Sequence, residues 1–520
     1  MKKLNILLFG LVLLGLSSCD KYLDKLPDDR AEINTYEKAR QLLISAYATS
    51  SPDFLLEMSS DNVADNGRVY TAQPDQNQAY RWQEVTTTGN DDPRSVWNNT
   101  YEAVGTANIV LDALKNIHDA DTKALHAEAL LCRAWAIFRL SNAFCMAYDS
   151  TKAASYLGLP YPTAPNVSVN ERGTLKQLYA NINADIESAL PDVDDTHLKV
   201  PKYHFNRRAA YAFAARFNLY YHNYDKAIAY ATQALGSQPA GLLRNVARYA
   251  TLAGVNDIAN AYINSGENAN FMLQDAISNT GILYHSRFYQ RYLHNVMLAK
   301  LETLWVQAPW NPSIGTRNNT LYEANLLYGN NQALFYPKLV YKMEYLDKES
   351  GTGYFHIVDA VFTADETLLV RAEAEALKGD FKAALADMNT WIQAHCQENY
   401  GAGVCPTFTE ASLNAYMNSI PEVPAVITKD SDRGYKKPLH PQGFTVATGT
   451  MTNLIYMILQ MRRIETLFQG LRFQDVKRYG IQICHVIEGE STLEFKSGDL
   501  RGALQLPADV VAAGLVPNPR

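Results

Sequence analysis

Cysteine is sparse in this sequence: there are six in 520 residues, and no two fall in a Cys-x-x-Cys pair. That spacing argues against a zinc knuckle or a dense disulfide framework. Beyond the first sixteen residues no apolar run is long enough to cross about 30 Å of hydrocarbon, so no membrane-spanning helix is expected. Long Lys/Arg tracts are missing and the formal charge is −7, which makes nucleic acid an unsuitable partner. Also missing are GxSxG, HExxH, GxxxxGK and GxGxxG, the usual cues for serine hydrolases, zinc proteases, P-loop enzymes and dinucleotide binders. "GTGYFH" (351–356) lacks the final glycine and reads as a turn. Acid pairs such as Asp194-Asp195 occur, but a glycosidase is defined by a spatial separation of about 5 to 10 Å, which sequence does not give. "SSDNVADNG" (59–67) offers Asp61 and Asp65 to a hard cation, yet Val63 stands where an EF-hand needs an oxygen ligand, so an Asx-rich turn is expected. The expectation is a protein without enzymatic activity, cofactor or metal.

What is present begins at the amino terminus. Lys2 and Lys3 precede an apolar run from Leu4 to Leu16, too short for a span and suited to a signal peptide. Leu16-Ser17-Ser18-Cys19 resembles the lipobox of bacterial lipoproteins, in which the cysteine carries a diacylglycerol. Residues 1–18 are therefore expected to be a signal peptide, Cys19 the lipidation site, and 19–34 an arm between the anchor and the fold. With 47% hydrophobic residues the chain can bury a large core. Among the other cysteines, Cys132 and Cys145 on one helix would lie about 20 Å apart, beyond bridging distance. Cys396 and Cys405 flank the glycine-containing "QENYGAGV" and are placed either to pair or to remain two thiols.

Two stretches share a skeleton: "RRAAYAFAARFNLYYHNYDKAIAYATQAL" (207–235) and "ETLLVRAEAEALKGDFKAALADMNTWI" (366–392). Ala215 precedes Ala227 by twelve residues, Ala372 precedes Ala384 by twelve, and Tyr224 or Phe381 stands three before the second alanine. This spacing suits antiparallel helix pairs touching at small residues, with turns at Asn223 and Gly379-Asp380, and resembles the tetratricopeptide repeat. Such repeats form either a scaffold, the reading we favour, or a peptide-binding groove. Thr174-x-x-Gln177 and Thr363-x-x-Glu366 fit the capping box that opens a helix. Residues 126–144 and 453–470 are long apolar stretches with helical polar spacing. In contrast, about 236–362 and 394–450 are rich in Asn, Gly, Tyr, Trp and Pro without periodicity, and are expected to be loop-rich functional surface.

"CDKYLDKLP", "WNNTYEAVGTAN", "LLCRAWAIFRL", "TLKQLYANINADIESAL", the two repeats, "RRIETLFQGLRFQDVKRYG" (462–480) and the closing "LQLPADVVAAGLVPNP" together resemble the RagB/SusD family of outer-membrane nutrient-binding lipoproteins. Glu465, Phe468, Gly470, Arg472, Asp475, Arg478 and Gly480 fall where that family carries its late signature, while Met461, Gln469 and Leu471 depart from the family's Glu, Glu and His. The resemblance implies a mostly α fold: four tetratricopeptide-like helix-pair repeats packed against a loop-rich, irregular ligand-binding half. It places a single SusD-like body at 35–520, with helical repeats over about 35–235, 363–393 and 451–480. It also implies capture of an oligomeric nutrient at the cell surface and delivery to a SusC-type TonB-dependent barrel, with the protein as a hinged lid anchored in the outer membrane. Glycans are the expected ligands, oligopeptides the alternative, and a protein-binding repeat scaffold the second alternative. Sugar recognition needs flat aromatic faces flanked by hydrogen-bonding groups. Two loop clusters have that composition, one with Tyr70, Arg81 and Trp82, the other with Trp305, Trp310, Tyr322 and Tyr328. Trp82 and Trp310 are the preferred platforms.

Overall fold

A computed structural model describes residues 33–165, 171–249, 251–285, 290–311, 321, 326–328, 333–335, 338–396 and 405–520. Asp92 begins the first long helix, α1 (Pro93–Ala113): its carboxylate accepts from Ser95 N at 2.8 Å, and Pro93 occupies a first-turn position that needs no N–H donor. The next helix, α2 (Lys123–Phe144), is buried on every side from Ala127 onward because α1 and α3 (Leu175–Ala189) both pack on it. Its polar side chains survive there by pairing. Arg133 Nε and Nη2 donate to the Asp185 carboxylate at 2.7 Å each, and Glu128 accepts from Tyr47 Oη at 2.6 Å. At the start of α3 both arms of the Thr174/Gln177 capping box are formed, as the spacing predicts.

The alanine skeleton produces the helix pairs it predicts. In α4 (Arg207–Tyr220), Ala209, Ala210, Ala212, Ala214 and Ala215 are buried, and in its partner α5 (Tyr224–Leu235) so are Ala227, Ala231 and Ala234. The turn between them falls at Asn223. The second pair, α6 (Ala364–Lys378) and α7 (Phe381–His395), turns at left-handed Gly379, and Asp380 caps α7 by accepting from Ala383 N at 3.1 Å. Only half of the second predicted box is made. Thr363 accepts from Glu366 N at 3.1 Å, but the Glu366 carboxylate turns to Arg216 at 3.1 Å and Arg462 at 3.4 Å, because a buried guanidinium outbids a backbone N–H. Packing then runs from α5 to α6 and from α6 to α8 (Thr450–Glu465).

Residues 236–362 hold more regular structure than their composition suggests. Strands β1 (Asn270–Ile277), β2 (Tyr341–Asp347) and β3 (Thr352–Thr363) form an antiparallel sheet with β3 central. Almost all of β1 and the second half of β3 are buried, so neither shows the alternation that marks a half-exposed strand. Beneath this sheet lies a small apolar cluster around Tyr249, Tyr262, Leu273 and Val358; the main core runs from Ala39 to Leu506.

Helix α8 passes to α9 (Leu471–Arg478) through Gly470, whose φ is +68°. A Cβ there would lie 2.9 Å from Leu56 Cβ and 3.1 Å from Asp53 Cα. Gly470→Ala is therefore expected to lower unfolding free energy by about 1 to 3 kcal/mol in urea titration. A loss below about 0.5 kcal/mol would show that this corner relaxes freely.

Candidate ligand-binding site

The segment 59–67 binds its charges internally rather than offering them to a cation. Asp61 accepts from Arg472 at 2.7 and 2.9 Å and from Lys437 Nζ at 2.6 Å. Burial pushes its carboxyl up, but Arg463, Arg472 and Lys437 outweigh that and hold it well below the usual carboxylate range. Glu302 is fully buried beside the same cations, accepting from Arg433 and Lys437 at 2.9 Å and Arg463 at 3.1 Å. It is held down to about 2 despite its desolvation. Asp65 pairs with Arg291 at 2.7 and 2.8 Å and accepts from Gly67 N at 2.9 Å.

Sequence composition singled out tryptophans that the structure buries. Trp82 is 3% exposed; its Nε1 donates to Ser59 O at 2.8 Å and its ring stacks on His485 at 4.1 Å. Trp305 and Trp310 are 1% and 0% exposed, and Trp310 packs near Trp391. None of the three offers a face to solvent in this conformation. The reason is physical: an indole under an irregular loop buries more apolar area than any other side chain and can satisfy its one N–H on a backbone carbonyl. Arg81 is committed to Glu490, with two bonds of 2.7 Å, and to Asn77 Oδ1 at 2.9 Å. Tyr70 is half-buried in a turn closed by its N–H to Gly67 O. The first cluster thus docks on residues 485–490, where Arg68 and Asp65 also bond Glu488. Cys19 and Tyr322 lie outside the described residues, as does the side chain of Tyr328. Cys396 and Cys405 are not bridged to each other; Cys405 Sγ approaches Ile392 O at 3.7 Å.

Among the described residues, a cluster of exposed aromatic side chains lies on the β2–β3 hairpin. Tyr341, Tyr345 and Tyr354 are 37%, 50% and 40% exposed, and Leu346 is 63% exposed. Alternation puts Tyr341, Met343 and Tyr345 on one face, and the register sets Phe355 opposite Met343 and Gly353 opposite Tyr345. Tyr341 and Phe355 meet edge to face at 5.6 Å, and Gly353 leaves the space across from the Tyr345 ring open. Glycine is required there: a Cβ would sit 1.9 Å from Glu344 O. The other face is polar, with His356 between Asp275 at 2.9 Å and Glu344 at 2.7 Å. The period-two pattern of "YKMEYLD" followed by the turn-rich "KESGTG" was the available signal for this hairpin.

A shallow cleft, open to solvent, is lined by Asp53, Trp135, Arg139, Arg216, Asp359 and Gln469 among others. Arg139 Nη2 donates to Asp53 at 2.7 Å and to Asp359 at 2.8 Å. Burial pushes Asp53 up to about 8, with Arg139 opposing and Asp359 reinforcing the shift. The cleft offers directional polar groups but little apolar face. Among the described residues, Asp365, His395 and Glu465 form one convergence of metal-ligating types.

At His356, burial favours the neutral ring, but bonds and charge from Asp275 and Glu344 raise it above the ordinary histidine value. A raised folded value means its stabilisation is complete below about pH 6.5 and is lost as pH rises through that folded value. Hydrogen exchange of the β2–β3 amides, corrected for intrinsic rates, should accordingly be slower at pH 6 than at pH 8.5, and His356→Gln should abolish the difference. Identical protection profiles for both proteins at both pH values would remove the role assigned to this histidine.

Comparison with known proteins follows the same lines. Residues 21–219 match the family model SusD-like_3, described as starch-binding associating with outer membrane. No curated protein matches by sequence comparison. Among solved structures, a SusD superfamily protein from Bacteroides thetaiotaomicron is 18% identical, with a TM-score of 0.61 over 94% of this chain and 100% of that one. A SusD-like carbohydrate binding protein from Bacteroides vulgatus is 15% identical, with a TM-score of 0.55 over 89% and 90% of the two chains. A laminarin binding SusD-like protein is 17% identical, with a TM-score of 0.55 over 94% and 99%. Residues 21–219 thus match a SusD-like family model, and the chain shares its fold with SusD superfamily structures over most of its length.

Proposed function

We propose that this protein captures an oligomeric nutrient, a glycan, and delivers it as a hinged lid to a SusC-type TonB-dependent transporter in the outer membrane. The observation that carries the ligand class is the half-exposed Tyr341–Tyr345 face of the β2–β3 hairpin. A pyranose ring presents an apolar C–H face and a rim of hydroxyls. Tyrosine matches both, with a flat ring for the first and a phenol for the second. The family description and the carbohydrate- and laminarin-binding relatives support the same reading. Tyr70 and Arg81 lie outside this face, and Trp82, Trp305 and Trp310 are buried. Anchoring follows from Cys19: a diacylglycerol on that residue, with further acylation, would hold the folded body at the membrane through residues 20–34.

A second reading rests on a separate feature. Strand β2 is the edge of its sheet and is exposed along most of its length, so its outer N–H and C=O groups are open to an added strand. An oligopeptide would bind there by strand addition.

Isothermal titration of the soluble chain starting after Cys19, against pooled oligosaccharides and then mixed oligopeptides, separates the two. Saturable heat with sugars is expected, and Tyr345→Ala should weaken it by more than about 1 kcal/mol, roughly fivefold. Heat with peptides alone would replace the glycan by the peptide reading, and unchanged glycan affinity in Tyr345→Ala would move the site off the hairpin. In cells, Cys19→Ala should leave the washed membrane fraction with ligand affinity intact; retention there would contradict the anchor.

A further inference from the structure

Three helix ends converge on a buried point. Asp365 lies in the first turn of α6, His395 is the last residue of α7, and Glu465 is the last residue of α8. His395 Nε2 is 3.1 Å from Glu465 Oε2 and 3.4 Å from Asp365 Oδ1, and the three residues are 7%, 6% and 0% exposed. The other ring nitrogen, Nδ1, faces Trp391 O at 2.8 Å. A carbonyl can only accept, so Nδ1 carries a proton, and Nε2 directs either a lone pair or a second proton at the two carboxylates. With a lone pair on Nε2, a cation or a shared proton must lie between the imidazole and the carboxylates.

We propose that Asp365, His395 and Glu465 form a binding site for a divalent transition metal of the zinc type. Bonds of about 2.0 to 2.2 Å in a tetrahedral site set neighbouring ligand atoms about 3.4 Å apart, close to the 3.1 and 3.4 Å from Nε2 to the two carboxylates. The surroundings are those of a metal site rather than of an isolated ion pair. His395 is fixed in the Nε2-ligating tautomer by Trp391 O, Trp391 Nε1 donates to Glu465 Oε2 at 3.1 Å, and Arg244 N donates to Asp365 Oδ1 at 3.1 Å. Trp391 also stacks on the imidazole at 4.1 Å, which holds the ring in plane. Asp365 Oδ2 is buried with no hydrogen-bond partner, an orphan that bidentate coordination would satisfy.

Two basic groups flank the triad. The Arg244 guanidinium bonds Tyr249 Oη, Tyr262 O and Asn270 Oδ1, and Lys338 Nζ bonds Glu465 O. Their charge opposes a second cation, so the ion must gain more from imidazole than calcium or magnesium does. The site would fill as the helix ends close, giving the fold a metal-dependent share of its stability.

The test uses the full chain after Cys19, stripped with chelator, dialysed, given Zn²⁺ alone and freed of excess by gel filtration. One zinc per chain by atomic spectroscopy and a raised unfolding midpoint are expected. Asp365→Asn and His395→Gln should each lose the ion while keeping the wild-type far-ultraviolet circular dichroism. Co²⁺ in place of Zn²⁺ should give visible bands of a low-coordinate site that His395→Gln lacks, a signature that a purely structural role would not produce. A wild type that retains no zinc and unfolds identically with and without it would overturn the site and identify the imidazolium as the cation. Zinc retained equally by both variants would overturn it as well.

Discussion

The pairing of Arg463 and Arg472 with Asp61 is the constraint on which the rest of the fold rests. Each of these groups would lose several kcal/mol by leaving water alone. They are held inside because each is answered: Arg472 by Asp61, and Arg463 by Asn62 Oδ1, Asp61 O and Glu302. Lys437 then joins Asp61 to Glu302, so four stretches far apart in sequence meet in one ion-paired knot. A second knot lies on the same two helices. Arg462 and Arg478 bond Asp475 and lie within ion-pair distance of Glu373, and Glu366 draws in Arg216 from α4. Apolar contacts tolerate a sliding helix, whereas a buried guanidinium that slips by one turn faces an uncompensated loss. These knots therefore fix the register of the repeats against the amino-terminal segment and the irregular half.

This explains how much of the architecture was legible. The helix pairs were readable because close approach demands small residues at fixed spacing, and Ala215, Ala227, Ala372 and Ala384 are all fully buried. Strand β1 was not, since burial on both faces erases alternation. The late signature was readable as a packing feature, and its departures have local meanings. Met461 is fully buried, Gln469 donates to Ala360 O at 3.1 Å instead of offering a charge, and Leu471 lines the cleft beside Arg139.

The binding residues were the least legible part. An aromatic residue in an aperiodic stretch is compatible with a platform on the surface or a wedge beneath it, and composition does not separate these. Trp82 and Trp310 are wedges. The hairpin tyrosines proposed as the ligand face are legible in "YKMEYLD" by alternation alone. Burial of Asp61 and Glu302 carries the same lesson: the acidic residues of "SSDNVADNG" have their partners at positions 437, 463 and 472, where no local pattern points.

The chemistry of the edge strand weighs one ligand against the other. An edge meant to accept a peptide strand is flat and uncharged, because charged side chains along it disfavour added strands. Here β2 alternates its tyrosines with Lys342 and Glu344, ends at Asp347, and is followed by Lys348 and Glu349. Its ladder is also irregular between Tyr345 and Asp347. Charges and irregularity discourage strand addition, while the Tyr341–Met343–Tyr345 face keeps its rings clear of both. A ligand that stacks on the face needs no free backbone edge, and a protein that exposes such an edge at high local density on a membrane needs it guarded. Both features fit the proposed glycan, which ring faces can hold while the guarded edge stays unpaired.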